Sequence, residues 1–168
     1  FNVESIGMLE ANQIIFDALT ILELKVLDIL NSLKVSENPD TLYNFSILNN
    51  KLTYSKSDDL LDGFIINLDN ENHTLGNLIS EYLKSTCIGK YSINSNILSF
   101  ASYSMPHPLK ETIKFKLKLK SFTNTELNQI NQFIYTQLFD SISLKNIEDE
   151  TVLKNNIYLL IFTNCLKT

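Results

Sequence analysis

The sequence predicts an α+β fold: an antiparallel sheet with two helices packed on one face, preceded by a long N-terminal helix. Three observations carry that expectation. From Glu10 to about Leu33, apolar residues recur at three- and four-residue spacing, the period of an amphipathic helix. From Ile113 to Lys120, apolar residues and lysines alternate strictly, the period of a half-buried strand. After Thr41 the segments follow one another as strands, helix, strands, helix.

Taken in order, Phe1–Ser5 (FNVES) reads as the tail of a strand, which suggests the C-terminal part of a longer polypeptide. Gly7 lets the backbone turn out of it. In the helix that follows, Ile15, Leu19, Leu22, Val26, Leu30 and Leu33 form one wide apolar stripe, so this helix needs a partner surface along most of its length. Ser36–Thr41 (SENPDT) is polar and contains a proline, the composition of a linker. Two short strands are expected around Asn49-Asn50. Phe64–Leu68 (FIINL) is another, closed by the polar turn DNEN. HTLGNLISEYLK is a helix, with Leu75, Leu78, Ile79, Tyr82 and Leu83 on one side and His73 or Thr74 near its N-cap. Gly76 inside it costs about 1 kcal/mol relative to alanine. Close packing of another backbone would explain that cost; a tolerated irregularity is the alternative.

Ile97–Tyr103 (ILSFASY) is the next strand. It stops at Pro106-His107-Pro108, where two prolines fix φ and remove two backbone donors. In the strand that follows, Ile113, Phe115, Leu117 and Leu119 take one face and Lys114, Lys116, Lys118 and Lys120 the other. Thr123–Glu126 matches a capping box. It opens a helix with Leu127, Ile130, Ile134, Leu138 and Ile142 turned inward. A weaker helix, from about Glu148 to Cys165, closes the chain.

Composition narrows the function. The chain has 168 residues and a net charge of −5, with no arginine among its basic residues. That balance argues against a general nucleic-acid binder, which carries a positive excess. The two cysteines, Cys87 and Cys165, have no paired spacing, so neither a disulfide framework nor a zinc motif is present and a reducing compartment is expected. No apolar run is long enough to span a bilayer. His73 and His107 could pair with Asp69, Glu71 or a cysteine around a metal, or act as acid and base. Zinc, however, wants at least two ligands at close spacing, and the blander reading has His73 capping a helix and His107 in a rigid turn. The lysine row could track phosphates; a solvated strand face or a guarded sheet edge is the plainer reading. No phosphate loop and no nucleophile motif occurs.

Three stretches together, HTLGNLI, FASYSMPHPL and IKFKLKL, resemble a known family. It comprises subunit 11 of eukaryotic RNA polymerase II, the shared small subunit of polymerases I and III, and archaeal subunit L, all akin to the N-terminal domain of the bacterial alpha subunit. The family pattern is an acidic turn, His-Thr-Leu-Gly-Asn-Leu, a strand ending in a Tyr-x-x-Pro-His-Pro-Leu corner, an amphipathic strand and a long helix. Here Asp69–Leu83, Phe100–Leu109 and Ile113 to about Lys145 supply those parts in order. The motif positions are His73, Thr74, Leu75, Gly76, Asn77, Tyr103, Pro106, His107 and Pro108. The front, FNVESIGMLEANQIIFDAL, is similar to the closing segment of subunit 3 of the same enzyme. Such a fusion resembles the arrangement in large cytoplasmic DNA viruses of eukaryotes.

The resemblance implies a fold of the alpha-type dimerisation domain and four segments: residues 1–34 from a subunit-3-like half, 35–48 a linker, 49–145 the subunit-11-like domain, and 146–168 a helical tail without a family counterpart. The connection 85–96 is longer than usual in the family. It also implies a non-catalytic assembly subunit of a DNA-directed RNA polymerase, with no cofactor and no metal of its own. Its interface would draw on Leu75, Leu78, Ile79, Leu83, Ile130, Ile134 and Leu138, divided between the domain's own core and the dimer seam. Its partners would be the subunit-3-like half, the second-largest polymerase subunit and small polymerase subunits, without sequence-specific nucleic-acid contact or membrane. The setting would be intracellular: host cytoplasm or virion if viral, nucleus if cellular. A freestanding dimerisation module of the same fold is the alternative, and a small histidine-dependent enzyme is a third class.

Overall fold

The computed structural model describes residues 2–34, 46–47, 51–88, 96–107, 109–139 and 146–167. The elements are helix α1 (Ala11–Ser32), strands β1 (Leu33–Lys34), β2 (Ser46–Ile47), β3 (Leu52–Lys56) and β4 (Gly63–Asp69), helix α2 (His73–Cys87), strands β5 (Leu98–Ser104) and β6 (Thr112–Leu119), and helices α3 (Asn124–Phe139) and α4 (Glu150–Lys167). The linker SENPDT, Asn49-Asn50, Pro108, Ile142 and most of the 85–96 connection lie outside the described residues.

β3, β4, β6 and β5 form one antiparallel sheet in that order. Alternation fixes the register, since a slip by one residue would turn every apolar side chain to water. Thus Phe64 lies opposite Leu117, Ile66 opposite Phe115 and Leu68 opposite Ile113, and all six are buried. The opposite face carries the lysines. β6 is an inner strand, so the lysine row does not guard an edge. The two short strands expected around Asn49-Asn50 pair elsewhere: β2 with β1 at the end of α1, and β3 with β4.

The closed face of the sheet carries α2 and α4, while α3 packs along α4. The helix that reads as weakest in sequence is therefore the most deeply buried. Ile157 through Thr163 are all buried, and Phe162 lies 5.5 Å from Phe115 between ring centroids. A helix enclosed on all sides has no polar face, so the 3.6-residue pattern that identifies surface helices is missing from IYLLIF. Tyr158 stacks on Phe64 at 4.8 Å. Its hydroxyl accepts from the Leu119 amide and donates to the Asp62 carbonyl, each at 2.8 Å. Burial pushes this hydroxyl up to about 12 despite the Leu119 hydrogen bond.

The capping box forms: the Glu126 carboxylate accepts from the Thr123 amide, and the Thr123 hydroxyl accepts from the Glu126 amide. Among the described N-terminal residues, Asn2–Ile6, no strand forms. Asn2–Ile6 is exposed, and the Ser5 hydroxyl instead donates to the Leu9 carbonyl and accepts from the Gly7 amide. A serine that bonds its neighbours' backbone competes with strand pairing. Gly7 turns at φ +105°, a conformation that favours glycine.

Candidate interaction surface

The HTLGN motif is a packing device. Asn72 caps α2, accepting from the Thr74 amide at 3.1 Å, so the cap lies one residue ahead of His73. His73 is the first helical residue and meets Tyr103 edge-on at 5.9 Å. Thr74 and Asn77 face outward. Gly76 explains itself: a Cβ there would stand 2.6 Å from the Tyr103 ring and 3.2 Å from Ile113. What approaches is an aromatic side chain, not a backbone, and the motif's glycine and tyrosine are two halves of one contact. At the corner, Pro106 and His107 are exposed. His107 Nδ1 accepts from the Leu109 amide at 3.1 Å and its carbonyl accepts from Lys110, so this histidine serves its own turn.

The acidic turn ahead of α2 fastens α1 to the sheet. Asn70 adopts φ +60°, which asparagine tolerates, and the chain then turns Glu71 inward to 2% exposure. Its carboxylate binds Lys25 of α1 at 2.8 Å and Lys51 at 3.1 Å, and Lys51 also binds Asp28 of α1. Partial burial lowers the Lys51 pKa, but the hydrogen bonds and charges of Asp28 and Glu71 outweigh it and leave a net rise. Asp69 accepts from the Thr112 hydroxyl at 2.8 Å. Among the described residues no three His, Cys, Asp or Glu side chains come together as metal ligands. None of the described helices is long and apolar enough to cross a membrane. Sequence reading missed this clamp because DNEN looks like any polar turn, and Lys25 has an acidic neighbour at helical spacing in Asp28, so nothing local points to Glu71.

Of the expected interface residues, Leu75, Ile79, Leu83 and Ile134 are buried in the chain's own core. Ile130 and Leu138 pack partly against it, and Leu78 is 50% exposed on the outer side of α2. Among the described residues, most of the exposed large apolar side chains lie on α1 or just ahead of it. Its C-terminal end joins the core through Ile29 and Leu33, with Val26 and Leu30 packed beside them. Toward the N-terminus Ile15 and Leu19 of the expected stripe stay exposed, joined by Phe16 at 65% and Leu24 at 60%, and by Ile21, Leu27, Met8 and Leu9. Contiguous apolar exposure on this scale marks an interaction site.

No curated protein matches the chain. Residues 64–134, from β4 into α3, match the family model described as the RNA polymerase Rpb3/Rpb11 dimerisation domain, so this part of the chain is a dimerisation-domain region of that kind.

Proposed function

We propose that this chain is a non-catalytic assembly subunit of a DNA-directed RNA polymerase. In this reading α1 is the closing helix of a subunit-3-like half, and the unit from about Asn49 is its subunit-11-like mate. The pair then docks the second-largest subunit and nucleates the core enzyme. The observation that carries the reading is α1 itself. It is clamped at one end to a dimerisation fold through Ile29, Leu33 and the Glu71 ion network, and along the rest it offers Ile15, Phe16, Leu19 and Leu24 to a partner. Covering that surface is driven mainly by apolar burial, at about 25 cal/mol per Å². A fusion of the two halves, as in large DNA viruses, accounts for both in one chain.

The test is co-purification. Affinity-tagged protein should bring down the large polymerase subunits from cells that express it. The Leu19→Asp/Leu24→Asp variant should lose them while keeping its melting temperature. Recovery of a stable complex without any polymerase subunit would replace this reading with a freestanding dimerisation module.

A further inference from the structure

Among the described residues the lysine row on β6 makes one ion pair within the chain, from Lys116 to Asp59. Lysine is disfavoured in strands, and alternate residues of a strand stand about 6.8 Å apart, close enough for like charges to repel. An edge strand would gain protection in return, but β6 lies between β4 and β5. Nor does the sheet neutralise the row. Across from Lys114, Lys116 and Lys118 stand Asn67, Ile65 and Gly63 on β4, and Ser104, Ser102 and Phe100 on β5, all uncharged. Among the described residues one carboxylate bonds the row: Asp59, at 2.9 Å from Lys116. The described helices that touch the sheet do so on its other face. A protein with net charge −5 thus keeps a line of half-buried cations along the sheet face that the described helices leave uncovered.

We propose that this face, along Lys114, Lys116 and Lys118, seats an extended acidic segment of a partner protein whose carboxylates recur at every second residue. An extended chain repeats its side chains on one side at the same spacing as the row, so each carboxylate meets one ammonium. Asp59 shows the seat in use. Its carboxyl lies below the ordinary aspartate range because Lys116 bonds it and Lys116 and Lys114 both attract it. The flanking Ser102 and Ser104 are small and leave room over the row, and Phe100, half exposed beside Lys118, offers an apolar stop. Among the described residues of this face Phe100 is the one ring, and the chain has no arginine, which makes a poor platform for nucleic acid and favours carboxylates over phosphates.

Fluorescence anisotropy at low salt tests this on the full chain. The probes are a labelled peptide of about twelve residues alternating Glu and Ser, one of identical composition with its glutamates clustered, and a thymidine oligonucleotide. The alternating peptide should bind saturably, about tenfold tighter than the clustered one, and weaken as salt rises. Lys114→Gln/Lys116→Gln/Lys118→Gln should weaken it about tenfold or more while keeping the wild-type circular dichroism. Ser102→Glu, which places a carboxylate beside the row, should weaken it too and covers the case in which the triple variant fails to fold. No saturable binding, binding unchanged in these variants, or an oligonucleotide that binds more tightly than the peptide would each overturn the proposal. None of these outcomes bears on whether α1 recruits polymerase subunits.

Discussion

α1 and α4 are both long, leucine- and isoleucine-rich helices, and the fold treats them in opposite ways. α4 lies between the sheet and α3 with nearly its whole central stretch sealed, while α1 touches the body at its last turns and leaves its N-terminal half bare. Apolar content does not separate them. What separates them is the distribution of polar residues around the helix. α1 intersperses Asp17, Glu23 and Lys25 among its apolar residues, which suits a helix that stays partly in water. IYLLIF admits no charge at all, which suits a helix that is covered within its own chain.

The largest test of this contrast sets two phenylalanines against each other. Phe162→Ala should destabilise the fold by about 3–5 kcal/mol, the cost of emptying an aromatic site in a packed core. Phe16→Ala should cost less than about 0.5 kcal/mol, as for a surface position. Chemical denaturation of both variants reads the difference, and equal losses would break the comparison.

Next comes the hydroxyl that ties α4 to the sheet. Tyr158→Phe leaves the buried Leu119 amide without its acceptor and should cost about 1–3 kcal/mol. It also has a pH signature. The unfolded hydroxyl titrates near its usual value of 10.0, and the folded one at about 12. Its stabilising contribution is therefore complete below that usual value and disappears as pH rises through the folded one. Wild-type melting temperature should fall over that alkaline range more steeply than that of Tyr158→Phe; parallel curves would refute the coupling.

Gly76→Ala forces a methyl group into the Tyr103 ring and should cost about 1–3 kcal/mol. Pairing it with Tyr103→Leu should recover part of the loss if the ring is the obstacle. The smallest effect concerns the clamp on α1. Glu71→Gln should cost about 1–2 kcal/mol, less than for a fully buried ion pair because Lys25 is partly solvated. Hydrogen exchange should then speed up in α1 and leave α4 unchanged.

How much of this was legible depends on whether the signal is local. The alternation of 113–120 and the capping box at Thr123 and Glu126 need only their own neighbours, and both form as read. The partners of each element are not local. The role of Gly76 depends on Tyr103, more than twenty residues away in sequence, and Glu71 looks like part of a turn until Lys25 and Lys51 are brought to it. Asn2–Ser5 form no strand because β-structure requires a second strand, and Ser5 bonds its neighbours' backbone instead.

The sequence by itself determined the α+β class, the strand and helix periods, the corner at Pro106 and the dimerisation motif, because each is written in residue spacing that the backbone geometry must obey. Only the tertiary structure decided which helix fills the core, why the motif's glycine is a glycine, and which face stays open. Those are questions of what lies opposite a side chain, and a one-dimensional pattern records what a residue prefers to touch but not which partner reaches it first.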